Sequence, residues 1–228
     1  MDQSLRDVAE QGNIDALYAS IRRDVKVLDN IDEFPFVETP LHVAVFAGHT
    51  RFALEIMRLK PSFSRKRNED GFTPVHLASQ NNQTKVVRQL LDVDEDLVRV
   101  QVKGRMTPLH YAAQTRNLHL LVEFLKVCPK SIKDVTIQRD TAFRIALKNN
   151  QVDAFNILTN WYEQTWYNDM FASQNKQDKD VLLSGVRGLL NSKDEEGNTL
   201  LHVAVSQNQP KASSLRSRFL LRNIESAF

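Results

Sequence analysis

The hexapeptide Thr-Pro-Leu-His-Val-Ala at Thr39 to Ala44 returns as Thr-Pro-Val-His-Leu-Ala at Thr73 to Ala78 and as Thr-Pro-Leu-His-Tyr-Ala at Thr107 to Ala112, each start 34 residues after the last. A fixed period of this length constrains the fold more than any other property, because each period is one supersecondary unit that can bury its apolar face only against its neighbours. A degraded copy follows after another 34 residues at Thr141-Ala142-Phe143-Arg144-Ile145-Ala146. A fifth, Thr199-Leu200-Leu201-His202-Val203-Ala204, comes after 58, one period plus an insertion of 24. Each copy reads as a helix start: Thr is a good N-cap, and Pro at the first helical position gives up only an N–H that has no helical partner there. Ala142 and Leu200 in place of Pro remove that preorganisation and keep the Thr cap. Ala44, Ala78, Ala112, Ala146 and Ala204 are small enough to let neighbouring first helices approach closely.

The second half of each period carries apolar residues at helical spacing, as in Phe52, Leu54, Ile56 and Met57, then Val86, Val87, Leu90 and Leu91, then Leu120, Leu121, Phe124 and Leu125. Loops such as Asn68-Glu69-Asp70-Gly71-Phe72 precede each Thr and project to one side. Gly71 and Gly197 suit a tight turn, whereas Val37, Arg105 and Arg139 stand in that place elsewhere, which predicts differently shaped loops there. Leu5, Gly12 and Ile21 stand 36 residues before Leu41, Gly48 and Met57, predicting an atypical first repeat without the motif. Motif and period together resemble the ankyrin repeat, whose signature is T-P-L-H-x-A. The resemblance implies an all-α ankyrin-repeat solenoid of helix-turn-helix pairs with short hairpin-like loops. The organisation expected is ankyrin repeats over 1–160, the atypical first repeat plus four with motifs at 39, 73, 107 and 141, then an insertion over 161–190, a partial sixth repeat over 191–210 and a C-terminal tail over 211–228.

The insertion holds Trp161-Tyr162 and Trp166-Tyr167, a polar stretch Ser173 to Asp180, and Val181-Leu182-Leu183 leading to Leu189-Leu190. It reads as an overlong second helix, a mobile loop and a short helix re-entering the stack, with the aromatics as core or end packing in preference to docking. Pro210 interrupts the place where the last second helix should begin. Arg216, Arg218 and Arg222 beside Phe219, Leu220 and Leu221 read as a frayed terminus in preference to a membrane or partner segment. The cluster Lys193-Asp194-Glu195-Glu196-Gly197-Asn198-Thr199-Leu200-Leu201-His202-Val203-Ala204, with Asn208-Gln209-Pro210, resembles the plant ankyrin proteins that end in a PGG-type membrane domain. That resemblance covers most of residues 1–210 and implies a stack facing the cytoplasm, a C-terminal membrane anchor and a role in defence or stress signalling. After Pro210 there is no Pro-Gly-Gly segment and no hydrophobic span, so the expectation is a shortened member or truncated product, with membrane association only through a partner or through a domain missing here.

Thirty Lys and Arg against 28 Asp and Glu leave no global field to attract nucleic acid or anionic lipid. The single cysteine, Cys128, permits no intrachain disulfide, suits a reducing compartment and reads as helix-end packing. The acidic, amphipathic start and the lack of a long apolar run predict neither a signal peptide nor a membrane span. Of the six histidines, His42, His49, His76, His110, His119 and His202, four belong to the motif. Spaced one per repeat, they do not converge on a tetrahedral metal site and read as hydrogen bonds from each turn to the next repeat. Arg144 replaces the motif histidine in the fifth repeat, with no role legible from the sequence. Without a phosphate loop, nucleophile elbow or paired Cys-x-x-Cys, no enzyme, cofactor or small-molecule substrate is expected. Asp194, Glu195 and Glu196 read as a solvated turn. Arg51, Arg58, Lys60, Arg65, Lys66 and Arg67, opposed in that stretch by Glu55 alone, read as a solvated outer face, with an acidic or phosphorylated peptide as the alternative ligand.

The function expected is recognition of another protein on a concave face of loop tips and first helices, where the core does not dictate the residue. Register nominates Phe36 and Glu38, Asp70 and Phe72 with Gln80 and Asn81, Lys103 and Met106 with Gln114 and Thr115, Gln138 and Asp140 with Lys148 and Asn149, and Glu195 and Asn198. Phe72 and Met106, taken as exposed on adjacent tips, are the expected anchors. The reading is an adaptor or scaffold in plant defence or stress signalling, cytoplasmic and extending to the inner face of the plasma membrane. The alternative is the cytoplasmic part, or a truncated form, of a membrane-anchored regulatory complex subunit.

Overall fold

The computed structural model describes residues 1–172, 188 and 191–206. The chain divides into two compact units, Met1–Ser131 and Ile132–Phe228.

In the first unit α1 (Gln3–Gln11) pairs with α2 (Ile14–Arg23), and a short α3 (Val27–Asp32) follows. Three further pairs are α4 (Pro40–Ala47) with α5 (Thr50–Leu59), α6 (Pro74–Gln80) with α7 (Thr84–Val93), and α8 (Pro108–Thr115) with α9 (Leu118–Val127). The first helices stack in the order α1, α4, α6, α8, and α5, α7 and α9 form a second layer behind them. Ala44, Ala78 and Ala112 are buried where the first helices meet, so a larger side chain at these sites would overpack the stack. Phe52, Ile56, Val87, Leu90, Leu121 and Phe124 close the layer between first and second helices. The all-α helix-pair class expected from the period is the one observed.

Two left-handed backbone positions recur from repeat to repeat. The first ends the first helix: Gly12, Gly48, Asn82, Arg116 and Asn150 all have positive φ. Gly12 is required twice over, since at φ 64° an added Cβ would also lie 2.6 Å from the His49 ring. The second lies in the loops before Thr73, Thr107, Thr141 and Thr199, at Gly71, Arg105, Arg139 and Gly197. There the expectation of a differently shaped loop is overturned for Arg139, whereas in the Arg105 loop Gly104, at the place of Asp70, is left-handed as well, at φ 76°. The bonds Gly71 N to Asn68 O at 2.9 Å and Asn68 N to Phe72 O at 2.8 Å are matched by Arg105 N to Val102 O at 2.9 Å and Val102 N to Met106 O at 2.9 Å. Arg139 N to Thr136 O and Thr136 N to Asp140 O, both at 3.0 Å, repeat the pattern. The backbone bonds hold Arg105 and Arg139 in the conformation glycine adopts freely. The Val37 loop does differ, its N–H being bonded to Arg67 O at 3.0 Å in the following loop.

The motif histidines lie against the helix starts. Thr39 N donates to His42 Nδ1 at 3.1 Å, and the Thr39 hydroxyl meets the same nitrogen at 2.8 Å. His42 Nε2–H then donates to the Phe72 carbonyl of the next repeat at 3.0 Å, the bond from one turn to the next that the spacing implied. Thr107 and His110 repeat the start at 3.2 and 2.8 Å. His76 Nε2 approaches the Met106 carbonyl outside regular hydrogen-bond geometry.

In the second unit α10 (Ala142–Lys148) packs against α11 (Val152–Ala172) and α12 (Leu200–Ser206). Thr141 is the N-cap residue of α10, but its hydroxyl makes no capping bond, contrary to expectation. Phe143 meets Phe155 and Tyr162 edge-on at 6.2 and 6.0 Å, so Tyr162 is core packing. The side chains of Trp166 and Tyr167, the stretch 173–180, the re-entering helix, Pro210 and the basic tail lie outside the described residues. Among the described residues no helix is long and apolar enough to cross a membrane.

Burial pushes the His42 imidazole down to about 4 and that of His76 to about 3. An imidazole that binds its proton near 6.5 when unfolded, but only near 4 when folded, stabilises fully above pH 6.5 and loses that contribution as pH falls toward 4. A shift of this size is worth on the order of 3 kcal/mol. The urea midpoint is therefore expected to fall steadily as pH drops from 6.5 to 5, a window above most carboxylate titration. A flat profile there would show that these rings are not held neutral.

Candidate functional site

The loop tips and first-helix ends of the first unit separate into used and available side chains. Phe72 is half-buried: its N–H donates to Asn68 Oδ1 at 2.8 Å, and its ring meets Tyr111 of the next repeat edge-on at 5.8 Å. Tyr111 in turn lies edge-on to His76 at 5.4 Å. Met106 is half-buried as well, its carbonyl closing the third loop. The expectation that these two are exposed is corrected: both are half-buried, and the Phe72 ring turns toward the next repeat. Asp70 and Lys103 are exposed on their tips, and Gln80, Asn81, Gln114 and Thr115 on the last turns of α6 and α8. Asn81 Nδ2 donates to Leu77 O at 2.8 Å and Thr115 Oγ1 to Tyr111 O at 2.9 Å, so these two polar groups are directed at their own helices. Phe46 stands 34 residues before Gln80 and is 61% exposed. Register alone offered that position, and it was missed because only loop aromatics were weighed. Phe34 and Phe36, 59% and 56% exposed, form the tip of the first loop.

The basic stretch is not an open anion site. Lys60 Nζ lies 2.6 Å from Asp29 and 3.2 Å from Asp32, Lys66 Nζ 2.9 Å from Asp32, and Arg65 2.7 Å from Asp94. Arg58 bonds Glu55 at 2.6 Å and Tyr18 at 2.8 Å, and Arg67 donates to Gln101 O at 2.7 Å. Burial alone would raise the Asp32 carboxyl, but bonds from Ser62, Lys66 and Lys60 prevail and hold it at about 2. The carboxylates come from the preceding and following repeats, which is why the local sequence showed only Glu55.

In the second unit the nominated Lys148 is committed inward. Its ammonium binds Asp140 at 3.0 and 3.1 Å and lies 3.8 Å from Asp194. Asp140, expected on the open face, is buried. Asn149 is exposed, with its Nδ2 donating to Ile145 O at 2.8 Å. Between the two carboxylates lies Arg144, 1% exposed. Its Nη1 donates to Arg139 O at 3.0 Å, and its Nη2 to Ser192 O at 2.7 Å and Asn198 O at 3.2 Å. Asp194 Oδ1 accepts from Glu196 N at 3.1 Å and Asn198 N at 2.8 Å, so this member of the acidic trio is a buried turn residue and not a solvated one. Burial would raise the Asp194 carboxyl, but the Asn198 N–H, Arg144 and Lys148 outweigh it and keep the group below the usual carboxylate range. Asn198 stands before Thr199 as Phe72 stands before Thr73, so Arg144 reaches the next turn as His42 does.

Among the described residues no group of three or more His, Cys, Asp or Glu side chains is placed to hold a metal. Residues 5–101 match the family described as ankyrin repeats, in three copies. Over 73 residues the chain is 42% identical to ankyrin repeat-containing protein BDA1 of Arabidopsis thaliana. That match covers 32% of this chain and 17% of the relative's length.

Two outcomes follow from this geometry. A double-mutant cycle of Phe72→Ala and Tyr111→Ala in denaturant should give a coupling of about 1 kcal/mol, the usual worth of an aromatic pair beyond its area. No coupling would mean that Phe72 is free to act as an anchor. Arg144→Met removes the buried cation between Asp140 and Asp194, leaving them only the partly exposed Lys148, and should cost about 3 kcal/mol. Amide exchange of Leu200–Ser206 should rise before that of α4 or α6, and unchanged exchange would mean that the cluster does not hold the sixth repeat.

Proposed function

We propose that this chain is a protein–protein interaction adaptor or scaffold that binds its partner on the face made by the loop tips and first-helix ends. Ankyrin repeats are protein-interaction modules, and one observation supports this face in particular. At positions one period apart, Phe46, Gln80 and Gln114 are all exposed, while the Thr, His and Ala positions around them are buried and filled alike. Side chains the stack does not need are the ones free to differ and to bind. The proposal is for binding and not catalysis, because the titratable groups gathered inside the repeats are occupied structurally: His42 and His76 held neutral, Asp32, Asp140 and Asp194 tied to cations.

The likeness to an Arabidopsis ankyrin protein, together with the Lys193 to Ala204 cluster, supports a role in plant defence or stress signalling. The proposed location is the cytoplasm, including the inner face of the plasma membrane. Affinity capture from native cells with quantitative mass spectrometry tests the face. Proteins held by the wild type should be lost about tenfold with Phe46→Asp plus Gln80→Arg, an anchor-sized effect. They should be retained with Val93→Ser, an exposed change at the end of α7. Equal capture by all three proteins would place the interface elsewhere.

A further inference from the structure

We infer that the tips of the first two loops form a docking groove for an extended segment of a partner protein in which Lys or Arg alternates with bulky apolar side chains. The inference rests on the partner-binding reading above and names the chemistry of what binds. Phe34 and Phe36 are more than half exposed at one tip, where large apolar surface is retained only at a cost unless it is used. Phe36 forms a backbone bridge with Arg67, and Val37 N donates to Arg67 O at 3.0 Å, so the aromatic tip lies directly beside the second loop. There a cleft of about 220 Å³ opens, lined by Met1, Arg6, Val37, Glu38, Asn68, Glu69 and Asp70. Arg6 is already engaged, at 2.6 Å by Glu38 and 3.1 Å by Glu10. Glu69 and Asp70 are exposed, and among the described residues neither has an ion-pair partner.

Carboxylates on a loop whose backbone is bridged to the loop that carries the exposed rings fit a cationic side chain whose stem lies on an aromatic face and whose charge reaches the acids. An apolar neighbour on the partner segment then covers the second ring. The third loop carries the opposite sign, Lys103 and Arg105. The row of tips is therefore polarised, and a segment whose basic residues face the third loop meets like charges, which sets the direction of binding.

Fluorescence anisotropy on the full chain tests this with three short labelled peptides: alternating Lys and Leu, Glu in place of Lys, and Ser in place of Leu. Saturable binding is expected for the Lys-Leu peptide alone, weakening with salt. It should fall about tenfold with Glu69→Lys plus Asp70→Lys, and likewise with Phe34→Ser plus Phe36→Ser, at unchanged circular dichroism and unfolding midpoint. Equal binding of the Glu-Leu peptide, equal binding of the Lys-Ser peptide, or indifference to both pairs of substitutions overturns the inference. Because Phe46 and Gln80 are untouched in these variants, the proposed binding face stands or falls separately. Sedimentation of the wild type as a dimer that Phe34→Ser plus Phe36→Ser returns to monomer assigns the groove to a second copy of this chain and also overturns it.

Discussion

A neutral imidazole, His42, ties the start of the second repeat to the turn of the third. Thr39 N–H donates to His42 Nδ1, which requires that nitrogen to be without its proton; the proton therefore sits on Nε2, the atom that donates to the Phe72 carbonyl. The same ring thus completes a helix start and grips the following turn. Because the ring is buried and bonded on both sides, the offset between these successive turns is set, and with it the distance at which α4 meets α6 across Ala44 and Ala78. A longer residue at either alanine, or a second proton on the ring, would act against the same contact.

Arg144 meets the same requirement with different chemistry. Its guanidinium carries several donors on a long stem, so it reaches Arg139, Ser192 and Asn198 at once, where an imidazole could bind only one acceptor beyond its own threonine. The charge it brings must be compensated in a buried site, and Asp140 and Asp194 supply the compensation, with the partly exposed Lys148 balancing the second carboxylate. Such a cluster contributes more to specificity than to net stability, since burying three charges costs about as much as their attraction returns. The turn of the sixth repeat follows a long insertion, and a multivalent charged hook fixes which turn docks there.

How much of this could be read from the chain depends on whether the cause was local. The helix starts at Thr39, Thr73 and Thr107 and the close-packed alanines follow from residue chemistry within a few positions, so the period exposed them. The left-handed turns at Arg105 and Arg139 did not show, because arginine has no preference for that conformation and only the bonds to Val102 and Thr136 hold it there. The partners of Lys60, Arg65 and Lys66 lie about one period away in sequence, so a stretch that looked uniformly basic is neutralised in space. The half-burial of Phe72 did not show for a related reason: a loop tip looks solvated along one repeat, but the next repeat supplies Tyr111 against its ring. Phe46 was legible and passed over, since the register that selected Gln80 selects it too.

These ion pairs also redistribute charge. Each is exposed enough that its contribution to stability is small and salt-dependent. Their collective effect is positional: Lys60, Arg65 and Lys66 are consumed by acids of the flanking repeats, and Arg88 by Glu123, so the cations lying near the second helices present little net field. Glu69 and Asp70 on the second loop, and Lys103 on the third, are left to face solvent. A chain with a formal charge of only +2 therefore still presents signed surfaces, because its neutrality is achieved by pairing on one side and not on the other. Total charge is a poor guide to partners in a repeat protein for this reason; the sign that a partner meets is set by which carboxylates the stacking leaves unmatched.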